Sequence, residues 1–215
     1  ELGGCAPGPR LRPTAAGRGL SRRSRPGTTG RLGVGARAVS GDRASSPAGA
    51  TSSGIAWRNA EPDDAAAVAR AIDDWWPGKH MVHAVCPQLF EHLGDTCVLA
   101  EREGDLIGFL VGFVSQRMPG TGYVHYAGVR PDCRGLGIGR ELYRRFSTAV
   151  AARGCTRLYA ETGAWNVESI AFHRRVGFTL QPGDAIVDGL PVHHDSAGVG
   201  FDFVVMVKPL VGEGP

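Results

Sequence analysis

With 215 residues, 42% of them hydrophobic, the chain can form one well-packed core with extensions and falls short of two. Its formal charge of +3 is uneven: residues 1–53 hold nine arginines against Glu1 and Asp42, which leaves the rest at about −4 and excludes a basic nucleic-acid-binding face. Five scattered cysteines with no C-x-x-C pair speak against a disulfide framework or a cysteine zinc site, and no apolar run nears the ~18 residues of a membrane span.

Residues 1–53 are mostly Gly, Pro, Ser, Ala and Arg, with too little apolar surface to offset their ordering entropy, and are expected to be disordered. The chain uses Arg almost to the exclusion of Lys, as a GC-rich genome would dictate, and an upstream extension read through such sequence is one origin for this segment. An Arg-rich, acid-poor organellar transit peptide is the rival reading. Otherwise the expected location is the cytoplasm, where free thiols stay reduced. The folded domain is expected over 54–210, with 211–215 as a tail.

A first strand is predicted at Ile55–Asn59, then a helix over Ala65–Trp76 behind Glu61, Asp63 and Asp64, acids that favour a helix start. Trp75 to Pro87, rich in Trp and His, reads as a loop or broken helix, followed by a short helix over Gln88–Leu93. Thr96–Glu101 and Leu106–Ser115 read as a hairpin. Pro119 to Gly122 turns the chain into a strand at Tyr123–Val129. There a period of two sets Tyr123, His125, Ala127 and Val129 on one face unless a bulge intervenes, for which Gly128 is the candidate.

Gly135, Gly137 and Gly139 then alternate at the start of an amphipathic helix, whose apolar stripe is Ile138, Leu142, Phe146, Ala149 and Val150 and whose stop is Gly154. Glycines here let the backbone turn sharply and leave the first helical amides open toward an anion. The spacing is neither the G-x-G-x-x-G of a dinucleotide fold nor that of a P-loop, since no Gly-Lys-Ser/Thr follows. A strand at Thr156–Glu161, a helix over Asn166–Val176, a strand at Phe178–Gln181, a loop over Pro182–Gly200 and a strand at Phe201–Val207 complete a mixed α/β domain.

Arg134-Gly-Leu-Gly137-Ile-Gly139 resembles the Arg/Gln-x-x-Gly-x-Gly/Ala signature of the GCN5-related N-acetyltransferases (GNAT). Asn166-Val-Glu-Ser169-Ile-Ala-Phe172-His173-Arg-Arg-Val-Gly177-Phe178 resembles the same family's Asn-x-x-Ser/Ala-x-x-Phe/Leu-Tyr-x-x-x-Gly-Phe, and the likeness extends over roughly Ile55 to Leu210. The resemblance implies the GNAT fold, a mixed, mostly antiparallel central sheet flanked by helices. It also implies acetyl-CoA as cosubstrate, transfer to a primary amine of a small molecule by direct attack in a ternary complex, no metal, and a homodimer as one common arrangement. A peptide or protein amine as acceptor, or a non-catalytic CoA-binding sensor, are the alternatives. Carried over residue by residue, the amides of Gly135, Leu136, Gly137, Ile138, Gly139 and Arg140 hold the diphosphate, with charge from Arg134 and Arg140. Ala127 and Val129 border the pantetheine, the Val129 amide polarises the thioester, and Asn166, Ser169 and Phe172 line the other side.

Where the family has tyrosine as the acid, this chain has His173, as do branches that resemble phosphinothricin-type acetyltransferases. An imidazolium can protonate a thiolate, since its pKa of ~6.5 lies below the ~8.5 of a thiol. For deprotonation of the amine the first choice is His125, with Tyr123 and Glu161 as further candidates. Trp75, Trp76, His80, His83 and His193 are expected to line the acceptor pocket. His80, His83 and Cys86 lie far in sequence from His193, His194 and Asp195, and neither group is a full ligand set, so no metal is expected.

Overall fold

The computed structural model describes residues 54–76, 85–196 and 198–210. The expectations for 1–53, for the 211–215 tail and for His80 and His83 therefore fall outside the described residues. In chain order the elements are β1 (Ile55–Asn59), α1 (Asp64–Trp75), α2 (Pro87–Leu93), β2 (Val98–Arg102), β3 (Asp105–Val114), β4 (Thr121–Val129) and α3 (Ile138–Ala151). They are followed by β5 (Arg157–Gly163), α4 (Val167–Arg175), β6 (Thr179–Leu180), β7 (Ala185–Val187), β8 (Leu190–Val192) and β9 (Phe203–Pro209).

Seven strands form one sheet in the order β1-β2-β3-β4-β5-β9-β6, and each pairing is antiparallel except the β4–β5 pair. Alternation along the strands sorts the core onto two faces. Ala100, Ile107 and Leu110 meet Leu142, Phe146 and Val150 of α3, while Leu99, Phe109 and Val111 meet Val68 and Ile72 of α1 and Phe90 of α2. Burying each such side chain contributes about 1.5–3 kcal/mol.

α3 lies close on the sheet because Gly108, Gly112 and Gly122 stand beneath it. A Cβ on these glycines would come within 2.9 Å of Ile138, 2.8 Å of Phe146 and 2.8 Å of Val150. Contacts that short cannot be made without moving the helix. At the opposite edge Arg58 of β1 bonds both oxygens of Asp64 at 2.6 and 2.8 Å and Glu101 at 2.6 Å, which ties the start of α1 to β1 and β2. No described helix is long and apolar enough to cross a membrane.

Two expectations change. The stretch read as a loop over Pro182–Gly200 contains the β7–β8 hairpin, closed by Asp188 and Gly189 in left-handed conformation with φ of 50° and 76°. Two successive positive φ angles define the tight turn that matches strand twist. The bulge in β4 falls at His125 and not at Gly128: Val111 pairs with Tyr126 and Gly112 with Val124, so His125 is the extra residue. Gly128 is small for another reason, since a Cβ there would sit 2.7 Å from the Phe109 ring.

Candidate active site

The bulge coincides with the end of the parallel pairing. β4 and β5 run in register from Thr121 opposite Arg157 to Val124 opposite Ala160 and then part. Beyond that point β4 pairs only with β3, and Glu161 to Gly163 pair only with β9. The extra residue also switches side-chain parity: Val124 before the bulge and Ala127 and Val129 after it pack on the α3 face, while Tyr126 packs on the α1 face. A gap flanked by strand backbone thus opens at the C-terminal ends of the two strands.

At the same end, β4 leads through a turn at Pro131–Cys133 into the start of α3. Gly135 and Gly137 both have φ of 81°, and a Cβ on either would meet nothing within 4 Å, so it is the left-handed backbone that calls for glycine there. Gly137 caps α3 without a side-chain hydrogen bond. The amides of residues 135–140 donate to no group among the described residues, and Leu136 beside them is 60% exposed. Uncovered amides at the positive end of a helix fit a diphosphate.

Arg140 is exposed beside these amides, whereas Arg134 donates to the Trp75 carbonyl at 3.4 Å and the Val129 carbonyl at 3.3 Å, and so links α1 to the end of β4. Gly139 admits the Phe172 ring, 3.0 Å from where its Cβ would be, and this contact seats α4 over the first turn of α3. Asn166, at the start of α4, donates from Nδ2 to Thr162 Oγ1 at 3.1 Å.

His173 is 7% exposed, enclosed by the rings of Tyr143, Phe172 and Phe178. Its Nδ1 lies 2.8 Å from the Ser169 carbonyl, which can only accept, so Nδ1 carries the proton and Nε2 accepts from the Tyr143 hydroxyl at 2.8 Å. Ser169 Oγ lies 3.3 Å from the same Nδ1. Burial pushes the His173 pKa down, against the raising effect of the Ser169 bond. Such a histidine is neutral near pH 7 with its one ring proton committed to backbone. The proton-donor role expected of it does not fit this geometry; a part in joining α4 to α3 does.

On the other face of the sheet, Tyr123 donates to Glu161 Oε1 at 2.8 Å and Tyr159 to Oε2 at 3.4 Å. Burial, then the charge of Glu161, raises the pKa of both phenols, so they act as neutral donors. His125 is exposed at the bulge, its ring 6.1 Å from that of Tyr123 and 4.6 Å from that of Tyr126. Trp75 stacks on Phe109 at 5.4 Å, and Trp76 and Tyr126 each meet that ring edge-on at 6.1 Å. The structure therefore groups Tyr123, His125 and Glu161, with Trp75 and Trp76 on the same sheet face.

His193 stands apart. Its backbone pairs with Phe203, and it shares no ring contact with the Trp75–Phe109 stack. His194, Asp195 and Asp202 bring ligand-type atoms within 4.8 Å of one another, and His194 Nδ1 bonds Asp202 at 2.7 Å, closing the β8–β9 loop. Tyr159 and Tyr143 were missed from the sequence. Tyr159 sits two residues before Glu161, a spacing that puts both on one face of a strand.

A mixed sheet with one parted parallel pair, beside a helix start open to a diphosphate, defines the acyl-CoA N-acyltransferase fold. The Acetyltransferase (GNAT) family model matches residues 56–178, and the chain belongs to that family. Over 81 residues the chain is 35% identical to the L-2,4-diaminobutyric acid acetyltransferase of Nocardia farcinica, taking in 38% of this chain and 42% of that protein. The curated relatives are spanned only in part, by 31% to 61% of their lengths. Among solved structures, Ard1 from Thermoplasma volcanium superposes with a TM-score of 0.57 at 18% identity, covering 74% of this chain and 99% of that one. The diaminobutyrate acetyltransferase from Paenibacillus lautus, solved with L-2,4-diaminobutyric acid and coenzyme A, superposes with a TM-score of 0.53 at 21% identity, covering 75% and 98%.

Proposed function

We propose that the chain is an N-acetyltransferase that moves an acetyl group from acetyl-CoA to a primary amine of a small molecule, by direct attack in a ternary complex. The observation that carries this is the parting of β4 from β5 at the His125 bulge, at the same strand end as the uncovered amides of α3. Acetyl-CoA supplies the thioester and a diphosphate by which to hold it. The amides of residues 135–140 and Arg140 bind that diphosphate, the backbone of Ala127 to Val129 borders the pantetheine, and the Val129 amide polarises the acyl carbonyl. Asn166 and Phe172 keep α4 against the other wall. His125, exposed at the bulge, takes the proton from the acceptor ammonium. As the C–N bond forms and the C–S bond breaks, the nitrogen releases its second proton to solvent and the departing thiolate takes one from solvent. His173 is a positioning residue. The half-buried rings of Trp76 and Tyr126, packed on buried Phe109, and the relative named for L-2,4-diaminobutyric acid support a small acceptor.

Thermal unfolding with acetyl-CoA at a hundred times its Kd tests the cosubstrate: linkage gives about 2.7 kcal/mol of stabilisation, or on the order of 5 to 10 °C for a domain this size. Thiol release with a panel of amines then tests transfer. A cooperatively folded protein whose midpoint ignores acetyl-CoA, or which binds it and releases no thiol with any amine, would overturn the proposal.

A further inference from the structure

Among the described residues, one carboxylate near the gap has no basic partner. Glu161 is half-buried on β5, one residue past the last β4–β5 pair, and among the described residues no Lys, Arg or His forms an ion pair with it. Its surroundings are rings instead. Tyr123 and Tyr159, directly opposite each other in the β4–β5 register, stack at 5.8 Å with 25° between their planes, and Phe113 closes on Tyr123 at 5.1 Å. The two phenols each donate once to the carboxylate. A carboxylate has about four lone-pair sites, so about two are left for a ligand.

A negative group held by neutral phenols at the edge of an aromatic stack is suited to a cation, from which the carboxylate accepts charge-assisted hydrogen bonds. The fold has no evident need of this arrangement, since a partly buried carboxylate on a strand is more simply neutralised by a basic neighbour, as Glu101 is by Arg58. Tyr123 reaches both groups at this strand end: its hydroxyl bonds Glu161, and its ring lies 6.1 Å from that of His125. An acceptor with one amine at His125 and another positive group at Glu161 would lie along the Tyr123 ring.

We infer that Glu161, with Tyr123, Tyr159 and Phe113, is a binding site for a second cationic group of the acceptor, and that the acceptors are small diamines or amines bearing another fixed cation. That the bound molecule is an acceptor rests on the acetyl transfer proposed above; the cation site itself rests on the geometry.

The two are separated by measuring binding and turnover independently. Isothermal titration at pH 7.5, with CoA present, compares 1,5-diaminopentane with n-pentylamine, which share a carbon chain and differ by one charge. The diamine should bind at least about tenfold more tightly, the scale of a charge-assisted contact. Glu161→Gln should bring it down to the affinity of the monoamine. Should that variant fail to fold, Tyr159→Leu keeps the carboxylate, removes one of the two phenols that hold it and should shrink the preference several-fold. Equal affinities in the wild type, or a diamine preference that survives Glu161→Gln, would sink the cation site. If the preference holds but neither amine releases thiol, the site stands and acetyl transfer to such acceptors falls; if both amines release thiol and bind equally, transfer stands and the site falls.

Discussion

Replacing His173 by Phe separates a structural histidine from a catalytic one. Tyr143 is 3% exposed and its hydroxyl donates to His173 Nε2 at 2.8 Å, so the substitution strands a buried O–H. Leaving such a donor unsatisfied costs about 1–3 kcal/mol, and losing the Nδ1 bond to the Ser169 carbonyl adds about 0.5–1.5. A six-membered ring must also fit where rings already stand 5.1, 5.5 and 5.8 Å from the imidazole centroid. Together these give about 2–4 kcal/mol, a fall of roughly 5 to 15 °C in melting midpoint for a domain of this size. Acetyl transfer measured at 15 °C, where the variant stays folded, should remain within about threefold of the wild type, because no reacting group has been removed. The double variant with Tyr143→Phe should lose less stability than the sum of the single changes, since both act on one hydrogen bond. The reasoning fails if His173→Phe melts normally, keeps its response to acetyl-CoA and yet loses kcat by a hundredfold; the imidazole would then be delivering a proton.

The same residue sets a pH dependence. Burial holds its folded pKa below the unfolded value of about 6.5, so its contribution is intact above pH 6.5 and is lost as the pH falls toward the folded pKa. The unfolding free energy from urea titrations should drop between pH 7 and pH 5 by up to ~1.4 kcal/mol per pH unit, and an unchanged slope in His173→Phe would assign the effect elsewhere. Gly137→Val puts a β-branched residue at φ of 81° and should cost about 1–2 kcal/mol while abolishing the thermal shift by acetyl-CoA; a full shift in that variant would remove the turn from the binding site. Tyr126→Phe deletes a buried hydroxyl that has no hydrogen-bond partner among the described residues. Its unfolding free energy should hold or rise by up to about 1 kcal/mol, and a loss of that size would mean the hydroxyl is bonded.

The elements to which the proposed function gives cosubstrate binding are legible in the sequence because their signals are local. Alternating glycines before a helical stripe announce the start of α3, and the Asn166 to Phe178 pattern announces α4. What escaped depends on partners distant in sequence. Gly128 invited a bulge, yet the ring that requires glycine there belongs to Phe109 on β3. His125 bulges without glycine, which leaves no mark in composition. The β7–β8 turn did have its signal in Asp188-Gly189, but strands of three residues, one holding Pro191, are too short for alternation to show. Tyr143 lies beside the apolar stripe of α3 and is buried only because α4 covers it. His173 matched a motif position, whereas its bonding is set by that tertiary partner.

The short parallel pairing has a further consequence, for how the domain breathes. β1 to β4 are continuous in sequence with one another, as are β5, β6 and β9 with theirs, and the two sets meet in the sheet along four residue pairs, Thr121 with Arg157 through Val124 with Ala160. Parallel pairing is slightly weaker per residue than antiparallel, so this is where the sheet should open first. A molecule lodged between the parted strand ends would act as a stitch across the seam. Amide exchange should then slow together over 125–129 and 161–163, segments distant in the chain that become one cooperative unit only when the gap is filled.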